Sequence, residues 1–238
     1  MALRVLVVRP QPGAAATAEA LERAGHEPVV MPLTEIVPLA SPQPAGASFD
    51  AVAATSANAI RQASPTLIEP LRDVPLCAVG EATAQAARAA GFRRVETAEG
   101  DADRLAEMIL GRFKAGSRLL YLCSRVRRRE FEAALVAAGI DVGIAETYDT
   151  VAVLPGDDEI AALGAVDAVL LHSAEAAKAL LRLRARAATS LERAVFIAVS
   201  QRAAEPLRDA GITRLLVAES PTETAMFARL GQVMSDGL

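Results

Sequence analysis

The chain has 238 residues, a length that suits one large domain or two smaller ones. Its composition is 52% hydrophobic but only 3% aromatic, so the core must consist of Ala, Val, Leu and Ile, and nucleic-acid binding by base stacking is not expected. A net charge of −4 also argues against a general nucleic-acid-binding protein. Two cysteines and two histidines are too few for a structural zinc site.

The cysteines and the N-terminus indicate the cellular compartment. Cys77 and Cys123 lie in apolar, strand-like runs, which favours buried, reduced thiols and a cytosolic protein. Arg4 and Arg9 interrupt the first apolar run, unlike a signal peptide, and no window is long enough to span a membrane. We expect a cytoplasmic protein with neither nucleic acid nor membrane as a partner.

The first third of the chain alternates strands and helices. Residues 4–9 form an apolar strand, a helical run ends at Gly25, and an extended segment covers 28–38. The prolines of that segment suit an edge strand or a crossing linker, and 38–46 has the composition of a linker.

The second half repeats the pattern of the first. Three pairs of segments correspond, namely 4–31 with 118–142, 49–56 with 166–173, and 76–97 with 196–217. Their strands are almost entirely apolar, as is typical of parallel strands covered on both faces. We therefore predict two similar α/β halves, each a Rossmann-like or flavodoxin-like parallel sheet with right-handed crossovers.

One helix of the second half carries an unusual charge pattern. A helix over 127–138 places Phe131, Ala134, Leu135 and Ala138 on one buried face. Its three leading arginines, 127–129, then lie at the end of the helix dipole that disfavours cations.

The segment 142–153 is the longest extended stretch, rich in β-branched residues and without helical periodicity. We predict that it and 28–38 cross between two lobes, with 154–158 as a further linker. One lobe, which is discontinuous, then holds residues 1–36 and 152–238, the other holds 37–151, and the active site lies in the cleft. A simple division near Gly116 is the alternative.

Polar residues follow nearly every predicted strand. Ligands bind beyond the carboxyl ends of parallel strands, and hydroxyl and backbone N–H groups at helix starts bind anions. Ordinary helix capping explains any single one of these turns. Seven of them, with several arginines, favour a polyanionic ligand; they cover 9–13, 55–58, 80–84, 124–129, 173–175, 200–203 and 221–224.

Common catalytic and cofactor signatures are missing. There is no glycine-rich dinucleotide fingerprint, no P-loop and no Ser/His/Asp arrangement. His172 lies at a strand end, and we predict a structural histidine with satisfied hydrogen bonds rather than a catalytic one. Tyr121 lies inside an apolar strand, and we predict that it belongs to the core. Tyr148 has polar neighbours in the crossing segment, which makes it the best candidate for a proton donor.

Several of these stretches together resemble the uroporphyrinogen-III synthase family, and the resemblance extends over essentially the whole chain. It rests on Val7-Val-Arg-Pro10, Thr55-Ser-Ala-Asn-Ala-Ile60, Ala78-Val-Gly-Glu-Ala-Thr-Ala84, Tyr148-Asp-Thr150 and Ala218-Glu-Ser-Pro-Thr222. It implies two α/β lobes, one discontinuous, joined by a two-stranded crossing.

The resemblance also implies a reaction. A cofactor-free, metal-free lyase of tetrapyrrole and haem biosynthesis would cyclise hydroxymethylbilane, which bears eight carboxylates, to uroporphyrinogen III. Loss of the hydroxyl group gives an azafulvene, and a spiro intermediate leads to inversion of the last pyrrole ring. We expect a monomer that contacts the preceding deaminase transiently.

Positions that match the family's site follow from the resemblance. Tyr148 would act as acid or orienter at the leaving hydroxyl. The family's basic position would be taken by Arg127 or Arg128, and the sequence leaves the choice between them open. The residues expected to hold the carboxylates are Arg9, Ser56, Asn58, Gly80, Thr83, Ala84, Arg127 or Arg128, Ser173, Ser200 and Thr222.

Two other classes compete with this interpretation. A two-lobed binding protein or sensor for a polyanionic metabolite would close about a hinge without chemistry. A nucleotide-sugar or nucleoside enzyme would need a glycine fingerprint and a ribose-binding acid, and the sequence has neither.

Overall fold

The computed structural model describes residues 2–40, 48–127 and 129–236. Most of the predicted linker 38–46 therefore lies outside the described residues. The chain divides into two compact units, Met1–Glu35 with Val151–Leu238, and Ile36–Thr150. No helix in the described ranges is long and apolar enough to cross a membrane.

The elements alternate along most of the chain. The strands are β1 (Arg4–Val7), β2 (Glu27–Val30), β3 (Thr34–Pro38), β4 (Ala51–Ala54), β5 (Leu76–Val79), β6 (Val95–Ala98), β7 (Arg118–Ser124), β8 (Asp141–Ala152), β9 (Ala168–Leu171), β10 (Val195–Ala198) and β11 (Leu215–Val217). The α-helices are α1 (Gly13–Arg23), α2 (Ala57–Arg61), α3 (Pro65–Ile68), α4 (Gly80–Ala89), α5 (Ala102–Arg112), α6 (Glu130–Ala137), α7 (Asp157–Ala162), α8 (Ala174–Arg186), α9 (Ala188–Leu191), α10 (Gln201–Asp209) and α11 (Glu223–Asp236).

Five strands of each sheet have equivalent positions, and the second sheet has one strand more. The first has the order β11-β10-β9-β1-β2, with parallel pairs throughout. The second has the order β3-β8-β7-β4-β5-β6, and its pairs from β8 to β6 are parallel. Strands that correspond in the sequence repeat occupy corresponding places, β9 with β4 and β1 with β7. The predicted α/β class, with two parallel sheets, is confirmed.

The central strands are buried because helices cover both faces of each sheet. All four residues of β4, β9 and β10 are buried. Aliphatic clusters lie on either side, one including Leu6 and Leu180 and another Val7 and Met226 in the first unit. The core thus consists of the residue types that the composition predicted.

The predicted crossing segment 28–38 contains β2 and β3, which are edge strands of different sheets, and Pro32 lies in the break between them. One predicted helix boundary was wrong. The helix predicted over 127–138 begins only at Glu130, and Arg127, which precedes it, bonds to Glu132 in its first turn. Phe131 and Leu135 are buried as predicted, but Ala134 and Ala138 are exposed.

Candidate active site

The predicted turns all follow the carboxyl ends of strands. In the first unit they follow β1, β9, β10 and β11, and in the second they follow β4, β5 and β7. Because parallel strands end at the same edge of a sheet, each unit gathers its polar turns at one edge.

An irregularity in β8 positions Tyr148 at this edge of the second sheet. Cys123 pairs with Glu146, but the next residue, Ser124, pairs with Tyr148, so β8 has one extra residue, Thr147. The Thr147 hydroxyl donates to the carbonyl oxygen of Ala59 at 2.7 Å, which ties the bulge to α2. Bulges of this kind redirect side chains next to active sites.

The Tyr148 phenol is 8% exposed, and burial raises its pKa above the ordinary value. The side chains of Ser56 and Ser124 oppose this shift. Ser124 Oγ is buried and has no hydrogen-bond partner among the described residues. Tyr148 is therefore a protonated group among hydroxyls at physiological pH.

Capping serines and a threonine start the helices at both edges. Ser56 Oγ accepts from Asn58 N at 3.2 Å, Ser173 Oγ from Ala176 N at 3.1 Å, Ser200 Oγ from Ala203 N at 3.3 Å, and Thr222 Oγ1 from Ala225 N at 3.2 Å. Each hydroxyl accepts in its cap and carries a hydrogen of its own that it can donate, and Thr222 Oγ1 also lies 3.2 Å from Ser220 Oγ. Capping and carboxylate binding are therefore compatible roles for these four residues.

The turn after β5 needs a glycine. Gly80 starts α4 with φ 70°, a left-handed conformation that strains any side chain. Thr83 is 4% exposed in the first turns of α4. Ala84 is fully buried in the core, so its side chain does not reach the edge.

Arg127 lies in a network with acidic partners. Its guanidinium bonds to the carboxylates of Glu132 and Glu146, the latter at 2.8 Å, and its side chain is only 12% exposed. Hydrogen bonds to Glu132 and Glu146 outweigh burial and raise its pKa above the ordinary value. Arg127 is thus committed to protein carboxylates, whereas Arg128 lies outside the described residues.

At the edge of the first sheet, Arg9 belongs to a cluster that the sequence patterns did not indicate. Its Nη1 atom donates to Thr17 Oγ1 at 3.2 Å and lies 3.7 Å from Glu223 Oε1. The same Glu223 oxygen accepts from the Thr17 hydroxyl and lies 3.7 Å from His172 Nε2. The four residues come from three distant parts of the chain, which explains why no local motif revealed them.

His172 is largely buried, with 13% of its side chain exposed, but it is not the structurally satisfied histidine that the sequence predicted. Neither ring nitrogen has a hydrogen-bond partner in the described part of the chain, since 3.7 Å to Glu223 exceeds hydrogen-bond distance. Burial lowers its pKa, as does Arg9, while Glu223 acts in the opposite direction. The imidazole is therefore neutral near pH 7.

Other side chains of the second unit are structural. Tyr121 is 3% exposed, its hydroxyl lies 2.8 Å from Thr55 Oγ1, and its ring contacts that of Phe131. Its predicted place in the core is confirmed. Among the described residues, no group of three or more His, Cys, Asp or Glu side chains is arranged to hold a metal ion.

Comparisons with known proteins bear on the fold and the family of this chain. The family model described as uroporphyrinogen-III synthase HemD matches residues 15–228. No curated protein matches the chain. The fold is similar to that of uroporphyrinogen-III synthetase from Helicobacter pylori, with 22% identity, a TM-score of 0.69, and coverage of 98% of this chain and 100% of that one. A mutant uroporphyrinogen III synthase from the extremely thermophilic bacterium Thermus thermophilus has 21% identity and a TM-score of 0.58, with coverage of 99% and 100%.

The structural similarities, at these identities, establish the fold. The family model goes further, because it spans both units and nearly all of the polar turns described above. The chain therefore belongs to the uroporphyrinogen-III synthase family.

Proposed function

We propose that the protein converts hydroxymethylbilane to uroporphyrinogen III, with Tyr148 as the proton donor to the leaving hydroxyl. The proposed reaction is supported by membership of the uroporphyrinogen-III synthase family. The buried phenol at the bulge of β8 supports the assignment of the donor. The family does not favour the alternative of a binding protein or sensor without catalysis.

The proposed chemistry begins at the hydroxymethyl carbon. Tyr148 donates its proton as the carbon–oxygen bond breaks, so that water leaves and an azafulvene cation forms. The substituted carbon of the last pyrrole attacks this centre, and rearrangement of the spiro intermediate inverts the ring. The proton lost from the closing ring restores the neutral phenol, and no oxidant or reductant is consumed.

The proposed substrate explains the polar edges of the two sheets. Carboxylates accept hydrogen bonds from hydroxyls and backbone N–H groups at helix starts and from arginine. We assign this role to Arg9, the capping hydroxyls of Ser56, Ser173, Ser200 and Thr222, and the backbone around Asn58, Gly80, Thr83 and Ala84. Arg127 serves the same site indirectly, because it holds Glu146, two residues before Tyr148.

We further propose that the protein works in the cytoplasm as a monomer and contacts the deaminase that makes its substrate. Cys77 and Cys123 are free and buried, in keeping with a reducing compartment. The substrate's spontaneous cyclisation makes rapid transfer advantageous.

An isomer assay tests the function. Hydroxymethylbilane is generated in situ, the purified protein is added without metal or cofactor, and the oxidised porphyrins are separated by chromatography. We expect isomer III in excess of the spontaneous isomer I. Isomer I alone, from a folded sample, would contradict the proposed function.

A further inference from the structure

In the cluster at the edge of the first sheet, Glu223 competes with a substrate carboxylate for Arg9. Arg9 is one-third exposed, which allows it to bind a substrate carboxylate. In the free protein, however, the Glu223 carboxylate already lies 3.7 Å from Arg9 Nη1. A substrate carboxylate that reaches Arg9 must therefore compete with Glu223.

Displacement of this kind would leave Glu223 without its cationic neighbour. The Glu223 side chain is 34% exposed, so solvent compensates the loss only in part. Thr17 remains bonded to Glu223 but supplies no charge. His172 Nε2 lies 3.7 Å from the same carboxylate oxygen and has no other partner among the described residues.

We propose that a substrate carboxylate replaces Glu223 at Arg9, and that His172 then takes up a proton and pairs with Glu223. This inference rests on the proposed function, because it concerns the same ligand. It makes His172 a positioning residue that is linked to substrate binding through Glu223. It also gives a role to two buried ring nitrogens that otherwise lack partners in the described part of the chain.

The direction of the effect follows from the charges that face the imidazole. These are Arg9, from the turn after β1, and Glu223, from α11. Before binding, burial and Arg9 both keep the pKa of His172 below its ordinary value. A bound carboxylate neutralises Arg9, and Glu223 is then free to stabilise the imidazolium, so the pKa of His172 must rise on binding.

The chain offers an unusually direct measurement, because it contains only two histidines. Their ring signals are followed by nitrogen-15 NMR across a pH titration, with and without the oxidised octacarboxylate product, uroporphyrin III. His26→Asn removes one signal and thereby assigns the other. His26 accepts from the Leu3 backbone N–H and is not part of the cluster, so it is an internal control.

We expect the pKa of His172 to rise by about one unit or more when the porphyrin binds, as an opposite charge within a few ångströms produces. His26 should not respond, and in the Glu223→Gln protein the rise at His172 should disappear. An unchanged His172 pKa in a protein that binds the porphyrin and passes the isomer assay would overturn this inference alone. Failure of the isomer assay itself would overturn the proposed function.

Discussion

Tyr148 lies directly opposite Ser124 in the ladder between β7 and β8, one residue out of the register of the preceding pairs. The backbone N–H of Arg125 donates to the Tyr148 carbonyl at 2.9 Å, which holds the strand in this position beyond the bulge. Without the extra residue Thr147, the alternation of β8 would direct the position-148 side chain to the opposite face. The bulge therefore sets the orientation of the side chain that we propose as the proton donor.

Tyr148→Phe tests the proposed acid. We expect kcat to fall by about 10²-fold, the lower end of the range for general acid catalysis, because the substrate ionises readily. KM should change little, since the ring remains. Steady-state kinetics with isomer analysis measures both values.

The matched control for this substitution is Tyr121→Phe. Tyr121 is buried in the same unit, and its hydroxyl bonds only to Thr55 among the contacts described. That variant should lose about 1 kcal/mol of stability and keep its kcat. Equal effects of the two substitutions on kcat would leave Tyr148 a packing residue.

Gly13→Ala tests the position of Arg9 without removing its charge. A methyl group at Gly13 would lie 2.5 Å from Arg9 Nε, so the guanidinium must move away. We expect KM to rise about tenfold, as for the loss of one charged hydrogen bond, with stability kept because alanine favours the helix. In an Arg9→Gln background the same substitution should have no further effect on KM.

Gly111→Ala provides the control for that experiment. Gly111 lies within α5, and a methyl group there meets no atom within 4 Å. It should raise the free energy of unfolding by up to about 1 kcal/mol and leave KM unchanged. A rise in KM for Gly111→Ala would mean that KM responds to general changes in stability.

Arg127→Met should destabilise the second unit. It removes the cation that Glu132 and Glu146 share, although Arg125 still lies 3.5 Å from Glu146. Because Arg127 is largely buried, we expect a loss of about 2 kcal/mol or more, between the values for exposed and buried pairs. Arg125→Met is the comparison, since its side chain is 55% exposed and its loss should stay below about 1 kcal/mol. Denaturant unfolding distinguishes the two outcomes.

The same network predicts a pH dependence of stability. Arg127 lowers the pKa of Glu146 in the folded protein, so the carboxylate stabilises the fold above the unfolded-state pKa of about 4.3. That contribution is lost as pH falls through the lower folded-state pKa. We expect Glu146→Gln to reduce the acid-induced loss of unfolding free energy relative to the unsubstituted protein. Parallel curves for the two proteins would contradict this prediction.

The two thiols should be unreactive in the folded protein. Burial raises the pKa of Cys77 to about 11 and that of Cys123 to about 12, and each is 1% exposed. At pH 8 we expect almost no reaction with Ellman's reagent until guanidinium chloride unfolds the chain, when both react. Rapid reaction of one native thiol would show local opening around it.

Most of the fold was predictable from the sequence because it depends on local patterns and on a repeat. Apolar strands, helices that end in Ala-Gly and the correspondence of the two halves are all recorded in residue order. The position of the polar residues that follow strands was predictable too. Parallel strands end at the same edge of a sheet, so these residues lie at that edge whichever side chains they contact there. For this reason the sequence alone indicates Ser56, Ser173 and Gly80 as candidates.

Only the tertiary structure decided which polar side chains form hydrogen bonds or ion pairs with one another. Arg9, Thr17, His172 and Glu223 meet through the packing of β1, α1, β9 and α11, and no spacing in the sequence records that meeting. Arg127 was a candidate for binding a substrate carboxylate but is bound by two carboxylates of the protein. The bulge before Tyr148 depends on pairing with a strand more than twenty residues away. Local pattern determines which elements form and where they end, whereas contacts between distant elements determine charge balance and burial.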